Sequence, residues 1–283
     1  MVSCRLAMHR CRLAMHCEPT FIVSIAIQTF SLIFVPNLFL MYNLVVDAGN
    51  SSIKMFLFEN GRIEHCLKCA EVAELLPSLE KTVPIESIGR CIVSSVSIDA
   101  ETIASVFRQF FPVTVYCVSL RLPIIIRYGT PETLGSDRVA AVVGAAVRYP
   151  NRNVLVIDSG TAITYDILTD KGEYLGGNIS VGLKTRFRAL HNFTGRLPLL
   201  NVDKSLDGLY GTNTTEALTI GIQNGMLYEI EGTVREFARR FSDLLVVFTG
   251  GDSFFFENRI KFNNFAEPYL VAFGLNEILE YNG

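Results

Sequence analysis

Residues 44–58 read LVVDAGNSSIKMFLF: an apolar run, a bend of small and polar residues at Asp47, Gly49 and Asn50, then a second apolar run. The pattern predicts two strands joined in a hairpin with an acid in its bend. Residues 154–168, VLVIDSGTAITYDIL, repeat the plan, with Asp158, Gly160 and Thr161 in the places of Asp47, Gly49 and Asn50. One such hairpin opens each half of the chain, which predicts an internal duplication with two like loops facing one cleft. After the first hairpin, hydropathy predicts a helix over 70–81, a strand over 88–95, helical spacing over 98–111 and a strand over 113–118. A turn-rich segment, 123–138, leads into 139–149, a helix of Ala and Val with no polar face before Arg148. Such a helix is buried, so its start, at Asp137 and Arg138, points into the interior or a cleft. The second half predicts a glycine-rich loop over 174–182, a helix over 183–192 and a strand over 244–248 ending in Thr249-Gly250-Gly251-Asp252. Asn213-Thr214-Thr215-Glu216 has helix-capping chemistry and opens a helix to about residue 240, whose Gly221 and Gly225 predict close packing. A helix over 269–281 ends the chain. The expected fold is α/β in two duplicated lobes, 41–152 and 153–283, each a mixed sheet flanked by helices.

Residues 1–40 depart from this pattern. The heptad start CRLAMH occurs at 4–9 and again at 11–16, and 21–40 is nearly all apolar behind Arg5, Arg10 and Arg12. The arrangement looks like a signal anchor. A start codon placed too early is the competing reading, because Met41 stands just ahead of the first strand. The expectation is a spurious or non-essential extension, with a membrane role only if that segment is real.

Composition narrows the function. With 283 residues, 49% hydrophobic and 19% charged, the chain can bury a large core. A net charge of −3, with no basic run beyond the first residues, argues against a nucleic-acid partner. Three of the seven cysteines lie in the first seventeen residues, and the rest do not form a disulfide framework, so a reducing compartment is expected. Cys66 and Cys69 beside His65 lack a second ligand pair for zinc. There is no G-x-S-x-G, no G-x-G and no Gly-Lys, which removes the nucleophile elbow, the Rossmann fingerprint and the Walker A loop. Nucleotide binding would have to use the paired hairpins, whose backbone N–H groups can face phosphates and whose carboxylates can hold Mg²⁺ through water.

Five motifs stand in order: D-x-G-N at Asp47, P-x-x-x-x-Y-x-x-P-x-x-L-G-x-D-R over 123–138, D-x-G-T-A at Asp158, G-G-N-I-x-x-G from Gly176, and T-G-G-D at Thr249. Together they resemble type III pantothenate kinase, of the acetate kinase, sugar kinase, Hsp70 and actin superfamily. The resemblance covers residue 41 to the C-terminus. It implies RNase H-like, actin/Hsp70-type ATPase domains and phosphorylation of pantothenate by ATP, the first step toward coenzyme A. Mg²⁺, K⁺ or NH₄⁺, a homodimer and a cytoplasmic location are implied with it. Matched motif by motif, Asp47, Ala48, Gly49, Asn50, Ser51, Ser52, Ile53 and Lys54 would form the first ATP-phosphate loop. Thr161 would contact ATP phosphate, Gly250 and Gly251 the nucleoside, and Asp158 would hold the monovalent cation. Gly135, Ser136, Asp137 and Arg138 would bind pantothenate with Tyr128 and Thr214, and Asp137 would be the base.

An Asp at a helix N-terminus is stabilised as the anion, which predicts a low pKa and a residue that mainly orients the hydroxyl. The loose transition state of phosphoryl transfer tolerates that. Arg138, opening an apolar helix, requires a buried carboxylate or amide partner. His191, Arg186 and Arg188 read as packing or dimer contacts. The family has Pro where this chain has Val181, which loosens the loop without removing a functional group. A non-catalytic regulatory protein on the same fold is the alternative, and retention of Asp47, Asp137, Arg138 and Asp158 speaks against it.

Overall fold

The computed structural model describes residues 41–283 other than Asn258, Lys261 and Asn263, so the expectations for 1–40 lie outside the described residues. The first hairpin forms as its pattern predicts: β1 (Tyr42–Ala48) and β2 (Ile53–Glu59) pair antiparallel with Asp47 opposite Lys54. The bend is closed by the Gly49 N–H donating to the Ser52 carbonyl at 3.2 Å. Asn60 and Gly61 both have positive φ, 49° and 74°, the type I′ geometry that turns the chain directly into β3 (Arg62–Cys69). Then come α1 (Leu75–Glu80), β4 (Ile88–Ser95), α2 (Ala100–Phe107), capped by Asp99, and β5 (Val113–Val115). The strands lie in the order β3-β2-β1-β4-β5, with β4 and β5 parallel to β1.

The short β6 (Ile125–Ile126) and α3 (Ser136–Arg148) lead to the second hairpin, β7 (Val154–Ser159) and β8 (Ala162–Leu168). It is followed by β9 (Glu173–Val181), α4 (Leu183–Phe193), α5 (Thr214–Arg240), β10 (Leu245–Thr249), α6 (Ser253–Glu257), β11 (Asn264–Ala266) and α7 (Leu270–Tyr281). The second sheet runs β11-β10-β7-β8-β9-β6. Without β6 it matches the first strand for strand, in both order and direction. The duplication foreseen from the two hairpins therefore extends to the sheet topology. Each half also lends an element to the other, since β6 pairs with β9 and α7 packs on β1 and β4.

Three apolar layers hold the sheets. Helices α1 and α2 cover the outer face of the first, and α4, α5 and α6 that of the second. Between the sheets lie α3 and α7, and α3 is buried continuously from Arg138 to Ala145. The two helices cross at Gly144 and Gly274, where a Cβ on either would fall inside the partner's backbone. Polar contacts align α7 with the first sheet: Asn43 Nδ2 donates to Asn276 Oδ1 at 2.9 Å, and Arg90 pairs with Glu280.

Two expectations are corrected. Residues 174–182 are not a loop, because Glu173–Val181 is a strand pairing along the whole of β8. The glycines there answer close approach: a Cβ on Gly177 would strike the Tyr165 carbonyl, and Gly176, at φ +115°, lies beside an irregularity in the ladder. Gly221 and Gly225 do not pack closely, for among the described residues nothing lies within 4 Å of a Cβ at either. No described helix is long and apolar enough to cross a membrane.

Candidate active site

Equivalent ends of two equivalent hairpins face each other across a cleft of about 370 Å³. The first hairpin supplies Asp47, Gly49, Asn50, Ser51, Ser52 and Lys54, and the second supplies Asp158, Gly160 and Thr161. Asp137 enters from the first turn of α3, and Gly250 and Gly251 from the bend after β10. Strand alternation explains the arrangement. Asp47 and Asp158 face the cleft, whereas Ala48 and Ile53, 0% and 1% exposed, point into the outer core and bring only backbone to the loop. The bends are close-fitting. Gly250 has φ +86°, and a Cβ there would strike the Asp158 carboxylate, while a Cβ on Gly182 would strike the Gly160 carbonyl.

Gly135, Ser136, Arg138 and Tyr128 gather around the start of α3 and are not among the residues that line the cleft. Ser94 Oγ donates to Ser136 Oγ at 2.8 Å, and Arg138 is buried against Asp166 with its guanidinium 5.8 Å from the Tyr128 ring. This is the carboxylate partner that a buried Arg138 requires. Thr214 is not brought to the cleft. It lies at the start of α5 on a mainly apolar cavity between α4 and α5, together with Val181 and Arg186.

The carboxylates repel one another. Burial pushes Asp47 up to about 6, with Lys54 opposing and Asp137 adding to the rise. Asp158 is pushed up to about 7 by burial and by the charges of Asp137 and Asp47. Asp137 is also raised, by burial first, while the Arg138 N–H donates to its Oδ1 at 2.8 Å and opposes the rise. The low pKa expected from its helix position is thus overturned: desolvation and the neighbouring Asp166 charge outweigh the helix N-terminus. The shift makes Asp137 a better proton acceptor than an ordinary aspartate.

A stability prediction follows from the signs. Carboxyls with raised folded pKa values bind more protons in the folded than in the unfolded chain, so stability falls as pH rises from about 4 through about 6 for Asp47 and about 7 for Asp158. Each contributes a loss on the order of 3 kcal/mol. Ligand-free protein is therefore expected to have a lower urea midpoint at pH 7.5 than at pH 5. Equal midpoints at the two pH values would contradict this account of the cleft.

Several cleft residues were not foreseen. Lys68 continues a row across the first sheet, where Asp47 is opposite Lys54 and Lys54 opposite Lys68. Lys184 lines the cleft and donates to Asp252 at 2.7 Å. Arg188, read as a packing or dimer residue, also lines the cleft, whereas Arg186 pairs with Glu229 away from it. A signal existed for Asp166: in the apolar strand AITYDIL only Thr164 and Asp166 interrupt the run, both in phase with Asp158 across the ladder.

The family model for type III pantothenate kinase matches residues 43–236. A type III pantothenate kinase of Bacteroides fragilis (strain YCH46) is 39% identical over 241 residues, covering 85% of this chain and 98% of that protein. The chain belongs to the type III pantothenate kinase family. A relative of the same description from Christiangramia forsetii is 39% identical over 242 residues, covering 85% of this chain and 98% of its own length. Among solved structures, component A of (R)-2-hydroxyglutaryl-CoA dehydratase from Acidaminococcus fermentans matches with TM-score 0.52 at 14% identity, covering 86% of this chain and 100% of that one. A Campylobacter jejuni protein described as a Baf family transcriptional activator matches with TM-score 0.55 at 19% identity, over 84% of this chain and 98% of the other. At these identities the likeness is one of fold, and the fold is the duplicated ATPase architecture of actin, Hsp70 and the sugar kinases. For this family member, all five motifs fall on the elements just described, and Val181 occupies the last residue of β9, opposite Ala162.

Proposed function

We propose that the protein phosphorylates pantothenate with ATP, giving 4′-phosphopantothenate and ADP at the entry to coenzyme A biosynthesis. The observation that carries this is the convergence, in a member of this family, of both hairpin bends and Asp137 on one cleft. The bend from Asp47 to Lys54 and the Thr161 hydroxyl bind the ATP phosphates, and Gly250 and Gly251 let backbone approach the nucleoside. Gly135, Ser136, Arg138 and Tyr128, gathered at the start of α3, bind pantothenate.

Asp137 orients the primary hydroxyl of pantothenate in line with the γ-phosphorus. The new bond forms from that oxygen to phosphorus, the bond to the β-phosphate oxygen breaks with ADP leaving, and the hydroxyl proton passes to the Asp137 carboxylate. Asp47 and Asp158, raised by burial and by like charge, make a donor set that calls for cations. Asp47 would hold Mg²⁺ and Asp158 K⁺ or NH₄⁺, which when bound offset phosphate charge.

Residues 41–152 and 153–283 act as the two lobes of this site. The protein works as a cytoplasmic homodimer, and the exposed face of α5 at Ala217, Gly221, Gly225 and Tyr228 is open to a second copy.

The test is ADP release by the chain beginning at Met41, with ATP, Mg²⁺ and pantothenate. Release is expected to depend on pantothenate and on K⁺ or NH₄⁺, and to fall when Na⁺ replaces them. A folded, ATP-binding protein that releases no ADP would favour the regulatory alternative.

A further inference from the structure

Asp166 is fully buried on β8, and its carboxylate is surrounded by donors. Arg138 Nε lies 3.1 Å from Oδ1 and 3.2 Å from Oδ2, Arg138 Nη2 donates to Oδ1 at 2.5 Å, and the Tyr174 hydroxyl donates to Oδ1 at 2.6 Å. Gly177 makes room for the carboxylate, since a Cβ there would come within 2.5 Å of Oδ1. Tyr128 lies along the guanidinium and over Gly176, so Arg138 is held at one edge and on one face.

A buried ion pair of this kind is weak evidence for stability, because desolvation offsets much of the attraction. Its geometric consequence is specific. Arg138 follows Asp137, and its backbone N–H donates to Asp137 Oδ1. Asp166 stands on the strand paired with β7, which carries Asp158. The contact therefore runs from the second sheet through the Arg138 side chain to the backbone that holds the Asp137 carboxylate.

We propose that Asp166, supported by Tyr174, is a positioning residue for phosphoryl transfer: it locks Arg138 so that Asp137 and the acceptor pocket at the start of α3 keep their place relative to the second hairpin. The inference rests on the reading of the cleft as a pantothenate kinase site.

The experiment is steady-state kinetics, varying each substrate, for the wild type, Asp166→Asn, Tyr174→Phe, Arg138→Lys and the Asp166→Asn/Arg138→Lys double variant. Asp166→Asn is expected to raise the KM for pantothenate and lower kcat by about tenfold or more each, with the KM for ATP within about twofold of wild type. Tyr174→Phe keeps the ion pair and moves the same two parameters in the same direction by roughly two- to fivefold. Because Asp166 acts through Arg138, the double variant should lose no more than the more severe single variant. An unchanged pantothenate KM and kcat in Asp166→Asn, or equal losses on both substrates, overturns the proposal. Should Asp166→Asn fail to fold, Tyr174→Phe decides, and wild-type kinetics in that variant overturn the proposal. A wild-type enzyme without pantothenate-dependent ADP release overturns the kinase reading and this proposal together, whereas an active wild type with an unaltered Asp166→Asn overturns this one alone.

Discussion

Asp137→Asn lowers pantothenate-dependent turnover by about a thousandfold or more, while ATP affinity changes by less than about twofold. The expectation rests on two features of the carboxylate. Asn keeps the shape of Asp, and its amide oxygen can still accept the Arg138 N–H that Asp137 Oδ1 now accepts at 2.8 Å, so the start of α3 should stay intact. What is lost is the proton acceptor, in a position where burial has raised its proton affinity. In the proposed reading ATP is held by the two hairpin bends and the 250–251 bend, which line the cleft independently of this side chain. Removing one of three mutually repelling carboxylates also relieves Asp158 and Asp47, whose raised values both include the Asp137 charge. The variant should therefore be at least as stable as the wild type at pH 7.5. Measurement of ADP release together with an ATP titration separates the outcomes: near-normal turnover would remove Asp137 from the role of base, and lost ATP binding would mean that the substitution disturbs the cleft as a whole.

Gly274→Ala destabilises the protein by about 3 kcal/mol or more, although Ala is the better helix former. On an exposed helix the same change would be favourable by about 1 kcal/mol, so the sign of the effect is diagnostic. The added Cβ would fall within the Ala140 carbonyl of α3, and the obstacle is backbone, which cannot rotate away as a side chain can. Gly144→Ala meets the reverse problem at the Leu270 carbonyl. Separation of α3 from α7 would open the central apolar layer, which contains residues of both sheets. It would also displace the start of α3, and with it Asp137. Urea unfolding should show a lower midpoint with an unchanged slope in both variants. Because the two positions share one crossing, their combined effect should be less than the sum. A stability equal to or above wild type would show that the helices are not held at the distance described.

Much of the molecule could be read from local pattern, and the reason is physical. Strand alternation, the small residues of a bend and the acids at Asp47 and Asp158 are properties of a dozen consecutive residues. Their consequence, a hairpin presenting a carboxylate, is equally local. The same holds for α3 and α5, where continuous burial and the Asn213 cap are written in neighbouring positions. The order of the five motifs extended this local reading to a family and to one cleft.

The tertiary structure alone decided what depends on distant backbones. Glycines at 176 and 177 read as loop signals until the fold is around them, when Gly177 lets the Tyr165 carbonyl and the Asp166 carboxylate of β8 approach and Gly176 lies against the Tyr128 ring. Gly144 and Gly274 are unremarkable in sequence, and their meaning lies in a crossing between helices far apart in the chain. The protonation behaviour of Asp137 follows the same rule. Its helix position, which is local, argued for a low value, but burial and the facing Asp166 decide the direction, and both arise only on folding. Lys68, Lys184 and Arg188 reach the cleft through strand register and helix placement. The sequence by itself determined which groups can do chemistry, because side-chain type and local backbone shape are written in it directly. Only the tertiary structure decided which groups meet and in what charge state, because distance and desolvation are set by the packing of the whole chain.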